Sequence, residues 1–118
     1  MPYLFLIVEP RGQREARNES EARQAYDDMV RYGESLAEQG KLQAAQSLRP
    51  DKYGVRVQAQ EGRPMLRDGP FAEAREMIGG FFMVDCASME EAVALAAQCP
   101  AAQWATVEVR EIAPCYAN

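Results

Sequence analysis

Two dense apolar runs stand out along the chain, YLFLIV at 3–8 and MIGGFFMVDC at 77–86; elsewhere the hydrophobic residues are spaced at regular intervals. The first run is short, rich in aromatic and branched residues, and closed by Glu9 and Pro10, the signature of a buried strand. From Ala22 the apolar or small positions fall at Ala22, Ala25, Tyr26, Met29, Val30, Gly33, Leu36 and Ala37, which predicts a helix with one buried stripe. Asn18 or Ser20 is placed to cap its first turn, and Gly40 to close it in a left-handed conformation. The RGQREARNES segment before it reads as polar connection. KLQAAQSL (41–48) reads as a strand of weak propensity, and residues 55 to 68 as a hairpin turning at EGRP. After the second apolar strand, Ser88 and Glu91 form a capping box for a helix buried through Ala92, Val93 and Ala96 and ended by Pro100. WATVEVREI (104–112) alternates as a last strand, with Ala105, Val107 and Val109 on one side and Thr106, Glu108 and Arg110 on the other.

Without the hairpin the order is β-α-β-β-α-β, the ferredoxin-like split unit, an α+β fold whose two helices cover one face of an antiparallel sheet. A strand with one wet face alternates, as 104–112 does. The first strand does not, since Tyr3, Phe5 and Ile7 oppose Leu4, Leu6 and Val8; nor does 77–86, where Phe81 and Met83 oppose Phe82 and Val84. Both faces of these strands need cover, and no third helix is predicted to give it. The expectation is a homodimer with sheets face to face, a dimeric α+β barrel, with Gly79–Gly80 marking close approach of the partner sheet. Cover by the hairpin or by the tail APCYAN is the alternative.

Composition narrows the classes. At 118 residues the chain fits a single domain over 1–118, and 47% hydrophobic with 26% charged residues is a globular profile. A net charge of −5 argues against nucleic acid as a partner. No apolar run approaches the roughly 18–20 residues that span a bilayer, and the N-terminus lacks the features of a signal peptide, so no membrane partner and a cytoplasmic location are expected. Three cysteines without a CxxC pair, and no histidine, predict neither a disulfide framework nor a metal, and no cofactor is expected.

DGPFAEAREMIGGFFMVD, followed by the capped helix, CPAA and VEVREI, resembles the YCII-related family in its DGPF-motif branch. YLFLIVEP and YGESLAEQGKL fit the same pattern, so the resemblance spans nearly the whole chain. It implies the ferredoxin-like fold, the dimeric barrel and a cleft between helices, loop and sheet suggested as an active site, in a bacterial family of mostly undefined activity. Members nearer the family's namesake are credited with a His–Asp dyad, which this chain cannot form because it has no histidine. Proton transfer near neutral pH then falls to a carboxylate, tyrosine, lysine or cysteine. The branch's gene neighbourhoods also imply a regulatory alternative, as a companion of a sigma-factor system.

Candidate site residues gather around the motif. Asp68 is the candidate catalytic base, or alternatively the acceptor of an Asx-turn. Phe71 offers an apolar wall and Arg67, with Arg75, a clamp for a carboxylate or phosphate. Glu73 and Glu76 form a carboxylate pair only if their loop is helical. Tyr3 and Glu9, from the first strand, complete the candidate ligand set of Tyr3, Glu9, Arg67, Phe71 and Glu76. The function expected is binding or sensing of a small polar organic molecule, or carboxylate-based lyase or isomerase chemistry on one.

Overall fold

The computed structural model describes residues 1–71 and 73–117. The order is β1 (Pro2–Pro10), α1 (Gln13–Ala16), α2 (Glu19–Glu38), β2 (Leu42–Ser47), β3 (Val55–Gln60), β4 (Arg63–Asp68), β5 (Glu76–Asp85), α3 (Met89–Ala97) and β6 (Thr106–Glu111). β2, β5, β1 and β6 form one antiparallel sheet in that order, and β3 and β4 form a separate hairpin. The sheet order is that of the ferredoxin-like unit, with the hairpin inserted between its second and third strands.

The α2 termini follow from local chemistry. Asn18 accepts from the Glu21 amide and Glu21 returns a bond to the Asn18 amide, and beyond the last turn Gly40 has φ +72. At α3 the Ser88 hydroxyl accepts from the Glu91 amide, but the Glu91 carboxylate reaches Ala87 instead, so the expected reciprocal box is half formed. Ala92, Leu95 and Ala96 are its buried residues, whereas Val93, expected inside, faces out. Polar connection was expected through 11–20; a single helical turn, α1, interrupts it.

Tyr3, Phe5 and Ile7 of β1 and Phe82 and Val84 of β5 point toward the helices and form the core with Tyr32 and Leu36 of α2. Tyr32 meets Phe82 edge-on at 5.2 Å, and its hydroxyl donates to the Leu95 carbonyl at 2.6 Å, joining α2 to α3. Gly33 lets α2 come close, since a Cβ there would stand 3.3 Å from the Phe82 ring. On the opposite face Leu4 pairs with Met83 and Leu6 with Phe81, and all four are only half-buried. The hairpin strands pair only with each other, and within one chain Leu4, Leu6, Phe81 and Met83 keep partial exposure. Among the described residues no helix is long and apolar enough to cross a membrane.

Candidate functional site

The alternation that puts Tyr3, Phe5 and Ile7 under the helices carries on to Glu9, whose carboxylate is therefore drawn inside at 4% exposure. A buried carboxylate needs a cation and hydrogen bonds. Arg14 supplies both from α1, donating through Nε to Glu9 Oε1 at 2.5 Å and through Nη2 to Oε2 at 3.2 Å. Nη1 donates to the carbonyl of Leu48 (2.8 Å) and Nη2 also to that of Gly79 (3.3 Å), so four of the five Arg14 N–H groups are engaged. The turn that holds Arg14 is tied down by Gln13, which donates to the Trp104 carbonyl at 2.5 Å.

A bulge makes room for this pair. The β1–β5 register shifts between Ile7, opposite Gly80, and Val8, opposite Ile78, leaving Gly79 as the extra residue. A Cβ on Gly79 would overlap the Glu9 carboxylate and come within 2.7 Å of Arg14 Nη2. Gly80, expected under a partner sheet, instead faces the helix side, opposite Ile7, where a Cβ would crowd the Gln46 carbonyl at 2.8 Å. The glycine pair thus marks close approach by the protein's own side chain and neighbouring strand.

Glu9, Arg14, Gly79 and Gly80 line one side of a cavity of about 550 Å³ between α2 and the sheet. Its other walls are mostly apolar, from Ile7, Ala25, Met29, Ala45, Phe82 and Trp104. Arg17 stacks on Trp104, its guanidinium 4.4 Å from the ring centre. Tyr26 and Val30, also in the wall, are exposed, so the cavity opens to solvent along α2.

A second cavity, about 410 Å³, lies at the rim of the uncovered sheet face, between Val8, Ile78, Asp51, Arg56, Phe71 and Glu76. Asp51 organises the loop beside it. The Arg11 guanidinium and the Phe71 amide hold its carboxyl below the usual range against the opposing effect of burial, and Arg11 also bonds the Ala74 carbonyl at 2.7 Å. Gly69 completes the seat: its amide donates to the Gly54 carbonyl at 2.9 Å, and a Cβ on it would collide with the backbone of Asp51.

The residues singled out from sequence are therefore dispersed. Glu9 lines the first cavity, and Phe71 and Glu76 the second. Tyr3 is core, 2% exposed, and burial pushes its phenol up from the ordinary value. Arg67 is an exposed partner of Glu73, at 2.6 Å, and with Arg56 holds the Glu73 carboxyl down to about 2. Glu73 and Glu76 consequently do not act as a pair. Asp68, at the end of β4, is exposed, lines neither cavity and has no side-chain hydrogen bond among the described residues. Asp68→Asn and Asp68→Ala are both expected to leave the melting temperature within about 2 °C of the parent, read by differential scanning calorimetry. A fall of 5 °C or more in the alanine variant alone would restore the Asx-turn.

Sequence reasoning passed over Arg14, Asp51 and Trp104. For Arg14 a signal existed: Arg11, Arg14 and Arg17 are spaced by three, directly after a carboxylate in phase with a buried row.

Comparison with known proteins supports this architecture. An uncharacterised protein of Rhizobium meliloti (strain 1021) is 30% identical over 93 residues, 79% of this chain and 75% of that protein. The structure of 5-chloro-2-hydroxyhydroquinone dehydrochlorinase from Burkholderia phenoliruptrix AC1100, in complex with 2,5-dihydroxybenzoquinone, superposes with a TM-score of 0.54 at 18% identity. It covers 96% of this chain and 94% of that one, a likeness of fold. The YCII-related domain model matches residues 1–115, and the chain belongs to that family.

Proposed function

We propose that the cavity between α2 and the sheet binds a small organic molecule with a flat, largely apolar body and a hydrogen-bond donor, and that Glu9 accepts from that donor. The observation that carries this is the state of the buried pair. Four of the five Arg14 N–H donors go to Glu9, Leu48 and Gly79, so it acts chiefly as a strut rather than as an anion clamp. Glu9 accepts one bond on each oxygen from Arg14, and a carboxylate has about four acceptor positions, so it keeps capacity for a donor from the cavity. The selectivity is therefore for a hydroxyl or amine, with Trp104, Phe82 and Met29 against the ring. The hydroxylated ring bound by the dehydrochlorinase of like fold points the same way. Acid–base turnover is the second reading and uses the same contact: Glu9 takes the proton of the bound hydroxyl as a lyase or isomerase base.

Calorimetric titration with hydroquinone tests the site. Saturable binding is expected for the parent, with Glu9→Gln weakening it at least tenfold, about 1.4 kcal/mol, because the amide exchanges a charged acceptor for a neutral one. Equal affinity in the two proteins contradicts the role given to Glu9.

The proposal extends to assembly. The half-buried row of Leu4, Leu6, Val8, Phe81 and Met83 is what a second copy would cover, by packing sheet on sheet about a two-fold axis.

A further inference from the structure

The hairpin β3–β4 has two faces of opposite character. Arg56 and Arg67, directly opposite one another, lie on the first. Two like charges so placed repel, and Glu73 resolves this by bonding both, at 3.2 and 2.6 Å, while Arg56 stacks on Phe71 at 3.8 Å. With Gly69 seated on Asp51 and Gly54, the base of the hairpin is fixed in direction. The second face is formed by Val55, Val57, Ala59, Pro64 and Leu66, in register across the two strands, with Asp68 opposite Val55 at its base. All five are exposed, Val57 by 63% and Leu66 by 67%. The turn at Glu61 and Gly62, with φ of 51 and 77, is the tight kind that holds such a ribbon in register. The projection shows in the radius of gyration, 16.1 Å against about 13.5 Å for a compact chain of this length. An isolated two-stranded ribbon is only marginally stable in water, and one with a bare apolar face lacks its second layer.

We infer that β3–β4 is an arm that lays this apolar face on a second copy of the chain. The inference rests in part on the sheet-to-sheet pairing proposed above and supplies what that pairing lacks. Four strands of six to ten residues, about 4.8 Å apart, present roughly 400–600 Å² per copy. The two faces together reach no more than the lower edge of the about 1,200–2,000 Å² that specific interfaces bury. The arm provides the remainder. Its base lies beside that surface: Arg56, on the charged face, and Phe71 share the second cavity with Val8 and Ile78 of the uncovered sheet face. Charge favours the same partner: three arginines against Glu61 and Asp68 leave the arm at +1, and the chain's −5 then leaves the rest at −6. A fixed base means that little ordering accompanies docking.

Sedimentation equilibrium on the parent, on Val57→Asp/Leu66→Asp and on Leu6→Asp tests this. Both arm positions are solvent-exposed within the chain, so circular dichroism of the arm variant is expected to match the parent. Its dimer dissociation constant is expected to rise at least tenfold. An arm variant that dimerises as tightly as the parent overturns the inference and leaves the sheet pairing standing if Leu6→Asp dissociates. If the arm variant dissociates and Leu6→Asp does not, the arm holds and the sheet pairing fails. A parent that is monomeric at 100 μM, or whose arm captures only an unrelated protein, overturns the inference.

Discussion

Replacing Arg14 with leucine is expected to destabilise the fold by about 3 kcal/mol, the lower end of the cost of stranding a buried charge. Glu9 is nearly sealed from solvent and has Arg14 as its partner, whereas the Arg14 side chain is 26% exposed, so water softens the loss only from one side. The carbonyls of Leu48 and Gly79 lose a donor in the same substitution. Leucine at both positions removes the stranded charge as well as its partner, and the double variant Glu9→Leu/Arg14→Leu is expected to recover more than half of the loss. Denaturant unfolding of the three proteins gives both quantities. An Arg14→Leu protein within about 0.5 kcal/mol of the parent would mean that Glu9 does not depend on Arg14 for its place in the fold, and the pair would then not be the anchor described.

Gly69→Ala is expected to cost a similar amount, about 3 kcal/mol, for a steric reason. The added carbon would overlap the Asp51 carbonyl oxygen and stand 2.8 Å from its carbon, and neither can turn aside as a side chain can. The loop must lift from Asp51–Gly54, and the Gly69–Gly54 bond lengthens with it. Gly40→Ala is the control. Gly40 has φ +72 with open space around its missing side chain, so alanine there meets backbone strain alone, about 1 kcal/mol. Chemical denaturation separates the two, and equal costs would mean that the close approach at Gly69 is relieved without loss.

The fold was legible because its signals are local and periodic. The stripe from Ala22 to Ala37 is a helix in any context, and the loss of alternation at Leu4, Leu6, Phe81 and Met83 marked strands with two apolar faces. The site was less legible because it depends on phase and on distant partners. Glu9 sits two residues beyond Ile7 and inherits its direction, yet its neighbours Pro10 and Arg11 suggest a loop. Arg14 lies in a turn too short for periodicity to register. Asp68 drew attention through the glycine and proline after it, but it is Asp51, 17 positions earlier, that holds the Phe71 amide. The glycine pair signalled a close approach, and nothing in the sequence says from which side of a strand it comes.

The most direct test of Glu9 as the polar anchor of a ligand cavity is the crystal structure of the protein soaked with hydroquinone. The predicted result places the ring between α2 and the sheet, against Trp104 and Phe82, with one hydroxyl about 2.7 Å from a Glu9 carboxylate oxygen and the Arg14 contacts retained. A ring lodged beside Phe71 in the second cavity, or an empty first cavity at saturating concentration, contradicts it.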